Sequence, residues 1–594
     1  MRVERTDVLI IGSGAAGMLA AIEASPDCGV TLVCKGPFGR DGATIAAQAD
    51  IAVDGRTCRA LLGLDADDSD SPELLASDML IEGGYLGDEE LIAIQSESVG
   101  REVSALVERG LVLRGLVHNP GHSKPRSVWI SARELASILR RDVTKAGVAV
   151  REYTMACELI LDEGEVLGAL LLDRVSCELY AVLARVTVIA AGGGMQLYPY
   201  STAPSGLTGD GLAMALRAGA ELSDMEFPMF LPYTLIEPKI LRGVTFTHDL
   251  AMLTEAHALN RSGERFMKRW DPVRMERSTR DVNAAAAGLE IAEGRGSRAG
   301  GIWLSLTHLP ANLIEEMGDW LPEGLSGWKY GGFDLKALLP DLSREALQTA
   351  PASHFWNGGI VVDAGCRTRV ANLFAAGEGI AGLNGANRIS GNGLAQAVVW
   401  GARAGRFAAA HTSRSGPVRD IGDGRIEEVA APFREASARR DGCSPIELTG
   451  RIRSEAWRGI GLVRDEKGLR AFMDFIDEIR GLLHTQAAFQ EVWGWNEKLV
   501  ASIENRNLAD VASATATAAL VRCESRGSHY RKDFPDTDEA WNVNVSLRIE
   551  GGRMASEAKA ARNSHARVHR AGRHGYGDKR RYSDESKDQG QKRS

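Results

Sequence analysis

Residues 8–23 read VLIIGSGAAGMLAAIE, an apolar run that breaks at three glycines and then continues with small and apolar residues at helical spacing. The run predicts a buried strand, a tight turn at Gly12 and Gly14, and a helix that packs closely on the strand at Gly17. A turn without side chains lets the backbone approach a pyrophosphate, and the positive helix N-terminus favours that negative charge. Because the G-x-G-x-x-G follows a predicted strand, we interpret it as a dinucleotide-binding turn rather than a purely structural one.

The second predicted strand, GVTLVCKG at 29–36, ends at Cys34 and Lys35. An acidic residue that binds a ribose hydroxyl is expected near this position, and its absence argues against a simple nicotinamide site. A second glycine cluster, GRGSRAGG at 294–301, follows a helical stretch instead of a strand. It fails the same test, so the sequence predicts no second dinucleotide site.

Composition and length restrict the class of protein. The chain has 594 residues, a formal net charge of -9 and eight scattered cysteines without C-x-x-C spacing. This length predicts about two to four domains, and the charge gives no reason to expect nucleic acid as a partner. We expect no zinc or iron–sulfur site. We also expect no membrane insertion and a cytoplasmic location, because neither a signal peptide nor an apolar run of about 18 residues is visible.

The C-terminal residues 546–594 are predicted to form a basic, disordered tail. Residues 555–594 hold eleven Lys/Arg against five Asp/Glu and almost no large apolar side chains. Such a segment cannot bury enough surface to offset its ordering entropy. A solvated extension is favoured over contact with a membrane, RNA or an acidic partner.

Three later stretches also place glycines beside a strand or helix: TVIAAGGG at 187–194, LTGDGLAMALRAGAEL at 207–222 and NLFAAGEGIAGLNGANRISGNGLAQAVVWGARAG at 372–405. Together with the first turn they resemble the succinate dehydrogenase and fumarate reductase flavoprotein superfamily, which includes L-aspartate oxidase. The resemblance continues through EFPMFLP, GERFM, TRDV, HFWNGGI and ESRGSHYRKDFP, and it spans about residues 7–543. Several motifs in one order are far more specific than a single glycine turn.

The resemblance implies an α/β fold with a Rossmann-like FAD-binding domain, an inserted α+β capping domain and a C-terminal helical domain. We expect residues 1–230 and 341–415 to form the two parts of the FAD-binding domain and residues 231–340 to form the capping domain. Residues 420–545 would form the helical domain. The composition of HTSRSGPVRDIGDG at 411–424 is typical of a linker, and helical patterns follow it.

FAD is the cofactor that the resemblance implies. The implied contacts are Gly12, Gly14, Ala15, Ala16, Gly17, Lys35, Thr44, Gln48, Gly192, Asp210, Glu378, Asn392 and Leu394. Glu378 would bind the ribose, and the helix after Gly391 would direct its positive end at the flavin ring. Respiratory members attach FAD through a histidine in S-H-T-x-x-x-Q-G-G. This chain has GATIAAQAD at 42–50, with Ala43 at the histidine position, so we expect noncovalent FAD.

The resemblance also implies the catalytic residues. Arg280 matches the arginine that transfers a proton, and His354 and Arg388 match a clamp for a carboxylate. An arginine is protonated at all working pH values, so it is a better proton donor than base, which favours the reductive direction. A surface ion pair between Arg280 and Asp281 and a structural role for His354 remain as alternatives.

The chain departs from the family pattern at several positions. Leu231 stands where Q-F-H-P-T has a carboxylate-binding histidine, and leucine cannot donate a hydrogen bond. Thr254 and Glu255 match a Thr-Glu pair or cap a helix start, but the arginine that relays protons after them is missing, and only His257 could substitute. Asn119 stands where L-aspartate oxidases have a glutamate, which argues against aspartate as the substrate. In the family's glycine pair after Gln48, this chain has alanine and aspartate.

The sequence predicts an FAD-dependent oxidoreductase that transfers a hydride between noncovalent flavin and a bond next to a carboxylate or carbonyl group. Trp129, Phe355 and Trp356 either line a pocket for a bulky, less charged substrate or belong to the core. One alternative is a fumarate reductase, succinate dehydrogenase or L-aspartate oxidase proper. Another is the flavoprotein subunit of an electron-transfer complex. The electron partner would then be an iron–sulfur or ferredoxin-like protein, and a quinone, a small carrier or oxygen are further possibilities.

Overall fold

The computed structural model describes residues 1–47, 49–253, 256–320, 328–330, 333–492 and 494–563. Its helices are α1 (Ala15–Ala24), α2 (Ala43–Ala46), α3 (Gly55–Leu62), α4 (Pro72–Glu82), α5 (Glu89–Glu108), α6 (Ala132–Lys145), α7 (Asp210–Arg217), α8 (Phe246–Leu253), α9 (Met267–Trp270), α10 (Arg280–Ala292), α11 (Ala311–Trp320), α12 (Asn392–Thr412), α13 (Asp423–Ala438), α14 (Pro445–Ile460), α15 (Glu466–Leu483) and α16 (Glu497–Val521). Its strands are β1 (Val3–Ile11), β2 (Val30–Val33), β3 (Asp50–Ala52), β4 (Leu116–Val117), β5 (Ser127–Trp129), β6 (Ala149–Arg151), β7 (Thr154–Asp162), β8 (Glu165–Asp173), β9 (Leu179–Ile189), β10 (Leu222–Ser223), β11 (Pro228–Leu235), β12 (His257–Leu259), β13 (Ile302–Ser305), β14 (Lys329–Tyr330), β15 (Phe333–Asp334), β16 (Leu347–Trp356), β17 (Gly359–Ile360), β18 (Leu373–Ala375), β19 (Val463–Arg464), β20 (Tyr530–Arg531), β21 (Val543–Glu550) and β22 (Arg553–Ala560). The predicted site residues Gln48, Thr254 and Glu255 lie outside the described residues.

The first glycine turn lies at the carboxyl edge of a seven-stranded sheet. Its strand order is β6-β2-β1-β9-β8-β7, and β18 also pairs with β9. Because β1 is parallel to β2 and β9, the strand ends Ile11, Val33 and Ile189 lie side by side, and Ala375 of β18 lies beyond Ile189. Ligands bind at this edge of open α/β sheets, so the sheet places the predicted nucleotide site where a nucleotide is expected.

Two glycines bring α1 close to β1 and β9. Gly12 has a φ of +111°, and a Cβ atom there would overlap the carbonyl oxygen of Ala190. A Cβ on Gly17 would overlap the carbonyl oxygen of Gly12. The predicted strand, turn and helix are therefore confirmed, and Gly17 has the predicted packing role between helix and strand.

The inserted region builds a separate core around an antiparallel sheet with the order β11-β16-β13-β12. Tyr233, Phe246, Ile302 and Leu347 are buried in this core. β11 begins at Pro228, before the predicted boundary at 231, and β16 (Leu347–Trp356) lies wholly beyond the predicted boundary at 340. The insertion is thus an α+β unit, as expected, but its sheet extends past the predicted limits on both sides.

Helices α13 to α16 follow the linker-like stretch, as the helical patterns predict. The prediction of disorder from residue 546 is wrong for β21 and β22, which pair from Val543↔Ala560 to Glu550↔Arg553. β21 also pairs with β10 and buries Val545 and Leu547. Composition cannot reveal this hairpin because β22 is ordered by backbone pairing rather than by apolar burial of its own. Residues 564–594 lie outside the described part of the chain.

Among the described residues, no helix has the length and apolar character that crossing a membrane requires. In the same ranges, no cluster of three or more His, Cys, Asp or Glu side chains is arranged to hold a metal ion.

Candidate active site

A cavity of about 540 Å³ lies at the carboxyl edge of the central sheet and extends to the inserted region. Its wall contains most of the predicted site residues, namely Gly12, Gly14, Ala15, Ala16, Lys35, Thr44, Gly192, Asp210, Arg280, His354, Glu378, Arg388 and Leu394. Gly17 lies behind the wall in the helix–strand contact. The side chain of Asn392 is also behind it, bonded to Gln95 and Asn384. The fold therefore brings residues from many separate segments to one cavity.

Two helices begin at this cavity with glycine caps. Gly14 precedes α1 and Gly391 precedes α12, and a glycine has no side chain to occupy the first N–H groups of its helix. The N–H of Ala15 donates to Thr44 Oγ1 at 2.9 Å, which holds α2 against α1. The positive end of α1 suits a pyrophosphate and that of α12 suits negative charge on a flavin ring. The residues of this wall therefore fit FAD.

Lys35, which follows β2, is paired with two carboxylates. Its Nζ atom lies 2.9 Å from Asp210 Oδ2 and 2.6 Å from Glu504 Oε1. Burial alone would lower the pKa of Lys35, but Asp210 and Glu504 raise it overall. Asn507 Nδ2 also donates to Asp210 Oδ1 at 2.8 Å. Helix α16 thus positions two predicted cofactor contacts, and sequence reasoning missed Glu504 because it lies far along the chain.

Glu378, predicted to bind the ribose, is half-buried at the cavity wall. Its Oε1 atom accepts a hydrogen bond from the backbone N–H of Trp356 at 3.1 Å. Burial raises the pKa of Glu378 to about 7, against the opposing effects of this N–H and of Arg388. The ribose contact itself remains a prediction.

Arg388 is a buried cation without an ion-pair partner among the described residues. Its guanidinium lies 4.5 Å from the ring centroid of Phe355, and Nη1 donates to the carbonyl oxygen of Ile389 at 3.3 Å. Nε has no hydrogen-bond partner in the described part of the chain. Burial and then the charge of Arg280 lower the pKa of Arg388 to about 9. A buried guanidinium in this state is suited to an anionic group that supplies its missing counter-charge.

Two histidines face the same cavity. His354, a predicted clamp residue, lies in the cavity wall. Its Nδ1 atom lies 2.7 Å from Thr202 Oγ1. Sequence reasoning missed His248 of α8, which is 5% exposed and whose Nδ1 has no hydrogen-bond partner among the described residues. Burial lowers the pKa of both rings well below the usual value, and nearby Arg280 contributes in each case. Both imidazoles are therefore neutral at pH 7, and each has one N–H to donate.

Arg280 begins α10 and is connected to a carboxylate through a serine. Arg280 Nη2 donates to Ser390 Oγ at 3.1 Å, and Ser390 Oγ donates to Asp50 Oδ2 at 3.0 Å. Asn119 Nδ2 donates to the same oxygen at 3.0 Å. Asp50 stands in the family's glycine pair, a departure that the sequence showed without revealing its connection to Arg280.

His257 was the only expected substitute for the missing relay arginine, and this expectation stays a prediction. It is not in the cavity wall, and its ring stacks on His308 with a centroid distance of 3.8 Å. Among the aromatic candidates, Trp129 and Phe355 line the cavity, whereas Trp356 is fully buried in the core. Leu231 is in the wall, so the predicted loss of a hydrogen-bond donor falls on the site itself.

The fold and the cavity define a dinucleotide-binding protein with cationic side chains, Arg280 and Arg388, in the wall of the same cavity. The chain belongs to the family described as FAD binding domain, whose model matches residues 7–394. A model described as fumarate reductase flavoprotein C-term matches residues 450–568. The chain is an FAD-dependent oxidoreductase of the fumarate reductase, succinate dehydrogenase and L-aspartate oxidase group.

Relatives match almost the whole chain. A subunit of fumarate reductase (CoM/CoB) from Methanothermobacter marburgensis is 34% identical over 555 residues, which cover 91% of this chain and 96% of the relative. L-aspartate oxidase of Yersinia pestis is 30% identical and covers 90% and 97%. The solved structure of Mycobacterium smegmatis Sdh1 in complex with UQ1 has a TM-score of 0.82 at 26% identity and covers 94% and 95%. The resemblance and the fold class expected from the sequence are confirmed.

Proposed function

We propose that this chain reduces a carbon–carbon double bond next to a carboxylate or carbonyl group, and that Arg280 donates the proton. The observation that carries this proposal is the buried Arg388 guanidinium without an ion-pair partner among the described residues, in the same wall as His354 and Arg280. A substrate carboxylate would supply the missing counter-charge. Its neighbouring double bond would then lie in the space that Arg280 faces.

FAD supplies the hydride when bound. We propose that Gly12, Gly14 and the N-termini of α1 and α12 hold it without a covalent bond, because Ala43 in the wall has only a methyl group. Acid precipitation of the purified yellow protein tests this. Noncovalent flavin is released into the supernatant, whereas a coloured pellet contradicts the proposal.

The protein groups have separate tasks in this mechanism. Arg388 binds the anionic group, and neutral His354 donates an N–H to one of its oxygens. Arg280, which remains protonated at neutral pH, gives a proton to the carbon next to the one that receives the hydride. Leu231 and Phe355 provide apolar surface that limits water around these charges.

A second candidate is a true dicarboxylate reductase that acts on fumarate. His248 favours it, because this neutral donor in the cavity wall compensates for the histidine that Leu231 replaces. The relatives named fumarate reductase agree with this candidate. L-aspartate oxidase activity has less support, because an amide, Asn119, bonds Asp50 where that enzyme has a glutamate.

We propose that the electron donor is a separate iron–sulfur or ferredoxin-like protein. The name of one relative, which describes part of a larger enzyme, supports an assembly of this kind. We also propose a cytoplasmic location, which the scattered free cysteines support. Copurification of the native protein at low salt identifies the donor.

The function is tested by the reoxidation of reduced flavin. Anaerobic protein is reduced with dithionite and mixed with fumarate, crotonate, methacrylate or cinnamate, while oxidised protein is mixed with succinate or aspartate. We expect reoxidation by at least one enoate. Preference for crotonate or cinnamate supports the first candidate, and preference for fumarate supports the second. No spectral change with any enoate refutes both.

A further inference from the structure

We infer that Asp50 returns a proton to Arg280 through the hydroxyl of Ser390 after each turnover. The inference rests on the proposed function, because it assumes that Arg280 gives its proton to the substrate. Its basis is the unbroken hydrogen-bonded path from Arg280 Nη2 to Ser390 Oγ at 3.1 Å and from Ser390 Oγ to Asp50 Oδ2 at 3.0 Å.

Ser390 is suited to pass a proton between these two groups. Its hydroxyl accepts from Arg280 and donates to Asp50 at the same time, and a hydroxyl can reverse both roles when it rotates. Ser390 is 5% exposed, so no bulk water competes for its hydroxyl. The path is therefore short, specific and shielded at its centre.

Asp50 is suited to be the end that exchanges with solvent. It begins β3, is half-buried and lines the cavity. Asn119 Nδ2 donates to Asp50 Oδ2 and to Ser127 Oγ, both at 3.0 Å, which fixes the carboxylate towards Ser390. This carboxylate occupies a position where the family pattern has a glycine, so the path is built from residues of this chain.

The proton balance of the path is simple. Arg280 loses one N–H proton to the substrate carbon and becomes a neutral guanidine. Asp50 takes a proton from water and passes it to Ser390 Oγ, while the hydroxyl of Ser390 rotates and gives its own proton to Arg280. Asp50 is then a carboxylate again, so one solvent proton replaces the one that entered the product. No electrons move along this path.

Three other titratable groups influence Asp50. Arg280 lies across the serine, and the charges of Arg388 and Asp50 act on each other. His122 Nε2 donates to the backbone carbonyl oxygen of Ser390 at 2.9 Å, and burial lowers the pKa of His122 to about 4. His122 is therefore neutral at working pH and contacts the backbone, so it offers no competing route to the hydroxyl.

The test compares single-turnover and steady-state rates of Asp50→Asn. Arg280 starts protonated, so the single reoxidation of dithionite-reduced enzyme by fumarate or crotonate should stay within about twofold of wild type. Steady-state turnover with reduced viologen should fall about 10- to 100-fold because each cycle needs a returned proton. Ser390→Ala should show the same separation, and Asp50→Glu should restore much of the steady-state rate.

Controls separate a relay from a structural role. Asp68→Asn makes the same substitution at an exposed aspartate outside the cavity wall and keeps the path, so its steady-state rate should match wild type. Flavin content and the spectral change on binding malonate or butyrate should be unchanged in Asp50→Asn.

Three outcomes would overturn the inference. One is an equal fall in the single-turnover and steady-state rates of Asp50→Asn, because Asp50 would then position the site. If Asp50→Asn equals wild type in both the single-turnover and the steady-state rate, while Glu255→Gln lowers the steady-state rate, the proton returns by another path and the inference is overturned. If wild-type enzyme reoxidises with neither probe, the proposed function fails and the relay falls with it.

Discussion

Leu231 and His248 line the same cavity wall, one without a hydrogen-bond donor and the other with a buried imidazole whose Nδ1 has no partner among the described residues. We propose that His248 donates the hydrogen bond to a second oxygen-bearing group in place of the histidine of Q-F-H-P-T, which this chain lacks. The donor comes from α8 of the inserted region rather than from β11. Substitution of His248 therefore tests whether the site prefers mono- or dicarboxylate substrates.

His248→Leu should raise the KM for fumarate about 10- to 100-fold, because a hydrogen bond to a charged group contributes about 1.5–3 kcal/mol. The KM for crotonate, which has one carboxylate, should change by less than about threefold. Steady-state kinetics with both substrates checks this. An equal effect on the two would show that His248 does not bind the second group.

Arg280→Lys should lower kcat by about 100-fold or more, since a positioned general acid contributes 10²–10⁴-fold. Lysine keeps the positive charge but has a shorter reach and no planar fork. FAD content and the binding of malonate or butyrate, followed by flavin absorbance, should remain close to wild type. A variant with unchanged kcat would remove Arg280 from the chemistry.

The pH dependence of anion binding should report Arg388. Its pKa is lowered to about 9 in the folded protein, so the guanidinium is protonated below pH 9 and loses its charge as the pH rises through that value. The Kd of malonate or butyrate should therefore rise about tenfold per pH unit above pH 9. Titrations of flavin absorbance from pH 7 to pH 10.5 measure this. Arg388→Met should bind weakly at every pH, and a wild-type-like slope in that variant would contradict the assignment.

Two glycine variants separate cofactor binding from folding. Gly14→Ala places a methyl 3.4 Å from Thr44 Oγ1, which the fold tolerates, but the methyl occupies the pyrophosphate approach. Gly17→Ala forces a methyl onto the carbonyl oxygen of Gly12. We expect Gly14→Ala to fold with strongly reduced FAD content and Gly17→Ala to lower the Tm of the whole protein. Thermal unfolding and the ratio of flavin to protein absorbance distinguish them, and full flavin occupancy in Gly14→Ala would contradict the predicted contact.

The elements that sequence analysis predicted correctly are those with a local signal. The turn between β1 and α1, the start of α7 at Asp210 and the start of α12 after Gly391 each combine glycines with a change of hydrophobic period. Because parallel strands align their carboxyl ends, these separate turns meet at one edge, and the cofactor residues follow from the fold.

The residues that sequence analysis missed depend on tertiary packing. His248 of α8 lies in the cavity wall, and Glu504 of α16 forms an ion pair with Lys35 of that wall. No spacing in the chain connects either residue to the glycine turns. The placement of His257 against His308 is equally non-local. The hairpin of β21 and β22 escaped prediction because its order comes from pairing with distant β10.

We expect reduced flavin in this cavity to be oxidised by an enoate whose carboxylate binds Arg388 and whose carbon takes a proton from Arg280. Stopped-flow reoxidation of the anaerobically reduced protein by fumarate and crotonate measures it directly. The yellow absorbance should return rapidly with at least one of them. Arg388→Met should lose the saturation of this rate with substrate concentration, and Arg280→Lys should lose most of the rate itself. Reoxidation that is absent in wild type, or that survives unchanged in both variants, would contradict it.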